Sequence, residues 1–231
     1  MAQFLRSVSV VLICSAPLLV SDIAYAANRL TAAQIAACDR KFHIDVKASD
    51  STGWHKPTDG SCKVQIRDGH RFPDPYCTPG ALNPTVTQDV LQSPGFTTQC
   101  IRNQAESESA KSIVFKWYGV SVDSTCEKDH FIPLEIGGAD TLDNIWPQCG
   151  PAGSTGQNRD FKEKDGVELY LGKQVKLGAS GGGMSQYDAR SRIASNWPTL
   201  LAANENGQAT QAATRKSKRT RTKHKATGAR H

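Results

Sequence analysis

The sequence predicts an α+β fold stapled by disulfides, and three observations predict it. Loop-forming residues crowd the first half, apolar positions recur at helical spacing in the second, and six cysteines outside the extreme N-terminus form an even set. The chain has 231 residues, 38% hydrophobic and 22% charged, which suits one domain with extensions.

The first 26 residues read as a secretory signal peptide. Arg6 is followed by an apolar run from Val8 to Val20, then by the A-x-A cleavage site Ala24-Tyr25-Ala26. The run is shorter than the ~20 residues a spanning helix needs. No later segment is apolar enough to span, so stable membrane association is not expected. The expected location is secreted or periplasmic. Cys14 leaves with the signal. Cys38, Cys62, Cys77, Cys100, Cys126 and Cys149 remain, and an even count in an exported chain reads as a disulfide framework. Six cysteines allow 15 pairings.

Residues 27–202 are expected to form the single domain and residues 203–231 a disordered basic tail. A short helix follows Thr31, with Ile35 and Cys38 at i, i+3 spacing. Residues 51–100, with Pro73, Pro75, Pro79, Pro84 and Pro94, read as loops and short extended pieces held by cysteines. Ala110, Ile113, Val114 and Trp117 mark a helix over 103–117, ended by Gly119. Lys128 to Leu134 suits a strand, Gly137 to Asp140 a turn, and Leu142 to Trp146 the returning strand. A helix runs from Asn158 to about Lys176 on Val167, Tyr170, Leu171 and Val175, with Gly166 as a local weakness. Gly178 to Gly183 reads as a flexible break. The last helix carries Ala189, Ile193 and Trp197 and closes at Pro198.

The formal charge of +6 is unevenly spread. Residues 215–231 hold eight Lys/Arg and no acid, which leaves 20 bases against 22 acids elsewhere. Such an arm attracts polyanions through counterion release.

The stretch from Glu127 to Gln148 holds Asp129-His130-Phe-Ile-Pro-Leu, then Gly137-Gly138, then Asp143-Asn144-Ile-Trp-Pro, in that order, with Asn144 fourteen residues after His130. It resembles the HNH nucleases, also called ββα-metal or His-Me finger enzymes. The likeness extends to secreted bacterial HNH proteins through Pro73 to Ala81, Lys164-Asp-Gly-Val-Glu168 and Asn196-Trp197, over roughly residues 73–200. It implies a central ββα unit over about 127–173, with helices packed around it and a loop-rich, disulfide-stapled N-terminal region.

The implied activity is metal-dependent endonucleolytic hydrolysis of nucleic acid, DNA more than RNA, with low sequence specificity. His130 would take the proton from water, as a near-neutral imidazole can. Asn144 would pin the loop between the strands and orient His130. A divalent cation, Mg²⁺ or alternatively Mn²⁺, would sit on Asp129 and a second ligand, Asn158 in preference to Asp160, since hard cations take oxygen ligands. Consecutive strand residues point to opposite faces, so a break in the strand at Asp129-His130 is required for both to serve one site. Arg159, Lys162 and Lys164 are candidate phosphate contacts. Glu135, Trp117 and Trp146 read as structural, and His43, His55 and His70 are given no role. The resemblance favours Cys77 with Cys100; Cys126 with Cys149 would bracket the hairpin, leaving Cys38 with Cys62.

Two other readings stay open. One is a degenerate HNH scaffold that binds nucleic acid without cutting it. The other is a structural zinc module on Cys126, His130 and Cys149, weakened by the absence of paired C-x₂₋₄-C spacing.

Overall fold

The computed structural model describes residues 31–122, 126–150 and 160–204. The expected signal peptide and the tail from residue 205 lie outside these residues, as do Asn158 and Arg159, while Ala203 and Asn204, expected in the disordered tail, are helical. The described part is α+β, with helices and two small antiparallel sheets.

Helix α1, Ala32–Phe42, starts at a capping box: the Thr31 hydroxyl accepts from the Gln34 N–H, and the Gln34 side chain accepts from the Thr31 N–H. Strands β1, Gln65–Arg67, and β2, His70–Phe72, form a hairpin. Helix α2, Gln88–Gln92, is short and capped by Thr87. Helix α3, Gln104–Trp117, stops at Gly119, whose φ of 63° suits glycine. Strand β3, Glu127–His130, pairs with β4, Ile145–Gln148. Helix α4, Asp160–Leu177, and helix α5, Gln186–Asn196, follow.

The core lies where α3 packs on β4 and α4 packs on α2, α5 and the 3₁₀ turn Leu134–Ile136. Trp117, Trp146, Trp197, Phe72, Phe115 and Leu171 are almost wholly buried in it. Trp117 and Trp146 are therefore structural, as expected. No helix among the described residues is long and apolar enough to cross a membrane.

All six remaining cysteines are bonded, but two expected pairings are corrected. The bridges are Cys38–Cys100, Cys62–Cys77 and Cys126–Cys149. Helix α1 packs against the 3₁₀ turn Thr98–Ile101, where Phe42 meets Phe96 edge-on, so Cys38 faces Cys100. Cys62 is anchored to the Trp117 carbonyl, and the Lys63 N–H to Asp74, which brings Cys62 to Cys77. Closing such loops contributes about 2–4 kcal/mol each in the chain-entropy account. The bridges fit an oxidising environment.

One smaller expectation also changes. Residues 178–183 are not a flexible break but a hydrogen-bonded connector, with Gly183 donating to the Gly178 carbonyl and Met184 to that of Gln174. Gly166 lies inside an unbroken α4, where Asn204 packs over it and a Cβ would lie 2.7 Å from the Asn204 amide nitrogen. The last α-helix does end ahead of Pro198, at Asn196, and the chain then turns through a 3₁₀ segment, Trp197–Leu200, and is helical again through 204. Pro sits there in the first turn, where its missing N–H costs nothing.

Candidate functional site

The centre of interest is the 131–144 connection between β3 and β4. Ile132-Pro133 bends away from the strand, and Gly137 adopts φ 89° after the 3₁₀ turn. Gly138 has no room for a side chain, since a Cβ would lie 1.8 Å from the Ile132 carbonyl oxygen. The connection is then tied to its neighbours. The Asn83 N–H donates to Gly137 O, Ala139 N–H to Ala81 O and Gly80 N–H to Asp143 O. From the other side, α5 grips it: Arg190 Nε donates to Ile136 O, and Gln186 Nε2 to Ile136 O and Val86 O. The loop-rich N-terminal region is thus the wall that shapes the turn.

Asn144 is wholly buried and fully used. Its Nδ2 donates to Ile132 O at 2.9 Å and to Ala139 O at 2.8 Å, and its Oδ1 accepts from Ile132 N–H at 2.9 Å. The Phe131 N–H also donates to the Asn144 carbonyl. One side chain therefore closes the turn immediately after His130.

His130 is 8% exposed, and its Nε2 lies 2.7 Å from Asp140 Oδ1. Asp140 Oδ2 accepts from the Asn103 N–H at 2.7 Å. Burial pushes the Asp140 carboxyl up, but the His130 hydrogen bond and charge, Arg102 and the Asn103 N–H outweigh it, leaving the carboxyl below its ordinary value. An ionised carboxylate only accepts, so the hydrogen bond is donated by the Nε2–H of His130. Asp140 was expected only as a turn residue. Its position directly after Gly137-Gly138-Ala139, ten residues beyond the histidine, was the available signal.

The two faces of β3 separate Asp129 from His130. The expected strand break is absent: Asp129 pairs with Trp146 and His130 with Ile145 in continuous register. Consecutive side chains leave a strand on opposite faces. On its face, Asp129 Oδ2 accepts from Lys164 Nζ at 2.8 Å and from Trp146 Nε1 at 3.3 Å. Lys164 also donates to Glu168 and, at 2.7 Å, to the His130 carbonyl. Burial pulls the Lys164 ammonium toward neutrality, but Asp129 and Glu168 outweigh it and hold it above the ordinary lysine value. Burial pushes Glu168 up, with Lys164 opposing and Asp129 and Glu135 adding. It raises Glu127 and Asp165 too, with the Asp129 charge adding in both.

Lys164 is 1% exposed, so its expected role as a phosphate contact is corrected: the ammonium faces inward. Lys162 is mostly exposed, with Asp165 at 3.5 Å. Of the two ligand candidates, Asn158 lies outside the described residues and Asp160 opens α4. Among the described residues no group of three or more His, Cys, Asp or Glu could hold a metal ion. Asp129, facing a buried ammonium and turned from His130, does not fit a divalent-cation site beside the base. The zinc module is disfavoured as well, since Cys126 and Cys149 are joined to each other and His130 is engaged by Asp140.

No protein-family model matches the chain, and no curated protein and no solved structure matches it either.

Proposed function

We propose that this chain is an exported endonuclease of the HNH type that hydrolyses phosphodiester bonds of nucleic acid, DNA more than RNA, with His130 as general base. The observation that carries the reading is the buried His130–Asp140 pair at 2.7 Å, set on a turn closed by Asn144. Asp140 fixes the ring and its tautomer, as a carboxylate does for an imidazole base. Nδ1 accepts a proton from water as the water oxygen bonds to phosphorus. The bond from phosphorus to the leaving oxygen breaks, and that oxygen takes a proton from solvent. Asp140 also stabilises the imidazolium that forms. The resemblance over residues 73–200 supports the substrate class, and the basic arm of residues 215–231 supports a polyanionic partner.

The test is cleavage of supercoiled plasmid by the mature, oxidised protein in Mg²⁺, in Mn²⁺ and in chelator. Nicking that chelator stops supports the reading. Retention of plasmid without cleavage in every arm identifies a scaffold that only binds.

A further inference from the structure

We infer that Lys164 is a positioning residue that fastens α4 to the backbone of His130, and that Asp129 serves as its counterion rather than as a metal ligand.

The geometry carries this in three steps. A lysine ammonium has three N–H donors and no acceptor. Lys164 spends them on Asp129 Oδ2, Glu168 Oε1 and the His130 carbonyl oxygen. With the side chain 1% exposed, no donor is left for a phosphate.

Next, β3 is hydrogen-bonded to β4 in a sheet of two strands, so its other edge has no strand partner among the described residues. Carbonyls on such an edge need other donors. The His130 carbonyl has Lys164, and its next neighbour Phe131 is held through the Asn144 carbonyl. The base is thereby fixed by β4 and Asn144 along one edge and by α4 along the other. Its ring is fixed separately by Asp140.

Finally, Asp129 is on the wrong face to share a ligand or a water with the ring of His130. A cation on its carboxylate would sit against the ammonium already 2.8 Å away, and like charges in a buried setting repel strongly. The ammonium instead forms buried ion pairs with Asp129 and Glu168, so loss of Lys164 strands both carboxylates, while loss of Asp129 leaves the ammonium with Glu168.

The experiment uses the full mature protein and five forms: parent, Asp129→Ala, Lys164→Met, the double variant, and the near-isosteric Asp129→Asn. Thermal unfolding is read first. Lys164→Met, which strands two carboxylates, should lower Tm by roughly 6–12 °C, Asp129→Ala should lower it less, and the double variant should lose less than the sum of the two. Plasmid cleavage is read next, below the lowest Tm. Lys164→Met should lower kcat about tenfold or more with KM for plasmid unchanged, because the ammonium holds the base and not the substrate. Asp129→Ala should not regain activity in excess Mn²⁺, and Asp129→Asn should keep its half-saturating Mn²⁺ within about twofold of the parent.

Rescue of Asp129→Ala by Mn²⁺, or a rise of about tenfold in half-saturating Mn²⁺ for Asp129→Asn, would overturn the inference. So would additive Tm losses, or a raised KM with normal kcat in Lys164→Met. The cleavage arms rest on the nuclease reading. If the parent cleaves nothing, that reading fails, and the Tm comparison still decides the clamp. Should Lys164→Met not fold, Asp129→Asn carries the decision alone.

Discussion

The two faces of strand β3 handle polar side chains in opposite ways. On the His130 face, two donors and one carboxylate form a chain: the Asn103 N–H, Asp140, the His130 ring, with Asn144 closing the turn beside it. On the Asp129 face, several carboxylates gather around one buried ammonium. The first arrangement holds the imidazole through one nitrogen, Nε2. The second satisfies every donor of its central cation and leaves nothing over. Adjacent residues of one motif therefore join different polar networks, and a strand only four residues long suffices to separate them.

The largest expected effect breaks the comparison at its reactive side. His130→Ala should lower plasmid cleavage by about 10²–10⁴-fold, the usual contribution of a positioned base, with Tm and plasmid affinity close to the parent. Full cleavage by this variant would remove the nuclease reading and leave a likeness of fold alone. Asn144→Ala should act through the turn. It leaves the Ile132 N–H and the carbonyls of Ile132 and Ala139 without their partner, so stability should fall by about 2–4 kcal/mol in urea unfolding, and cleavage should fall with it. An unchanged midpoint would mean that the turn holds itself.

Asp140→Asn sharpens the same face. Cleavage should drop about 10–10²-fold, because an amide no longer enforces the Nε2–H tautomer. The pH dependence has a defined sign. The Asp140 carboxyl lies below its ordinary value, so its contribution to stability is present above the ordinary carboxylate range and is lost as pH falls through the folded value. The variant should lack that part of the acid-side loss. Equal acid sensitivity in both proteins would show that Asp140 does not carry it.

What the sequence made legible follows from where periodicity and spacing hold information. Helix α3 and the body of α4 and α5 announce themselves through Ala110, Val114 and Trp117, through Val167, Leu171 and Val175, and through Ala189 and Ile193, all buried as spaced. Asn144 is legible from its distance to His130, and the turn from Gly137-Gly138. The disulfide pairing is not, because Cys38, Cys62, Cys77 and Cys100 sit in or beside irregular chain whose path depends on contacts with Trp117 and Phe96. The role of Lys164 is hidden for a different reason. A lysine in a helix with acidic neighbours reads as exposed, and only the approach of α4 to the open edge of β3 buries it. Asp129 inherits the same ambiguity, since strand register, and not residue type, decides which face it serves.

The smallest effect tests what remains of the expected phosphate contacts. Lys162 is mostly exposed, and its ion pair with Asp165 at 3.5 Å is of the surface kind. Such pairs contribute about 0–1 kcal/mol, so Lys162→Ala should leave Tm within a few degrees of the parent. Binding should respond in another way. A lysine that neutralises one phosphate releases about one counterion, and its removal lowers the slope of log K against log salt by about 0.9 for duplex DNA. Plasmid or duplex binding measured by filter retention over a range of salt should show that loss equally for unrelated sequences, because a phosphate contact reads no bases. Lys164→Met supplies the contrast two residues away: its slope should match the parent, since its ammonium is enclosed by Asp129, Glu168 and the His130 carbonyl. A parent-like slope for Lys162→Ala would place the nucleic-acid contact away from the first turns of α4. A reduced slope for Lys164→Met would mean that the buried ammonium reaches the substrate after all.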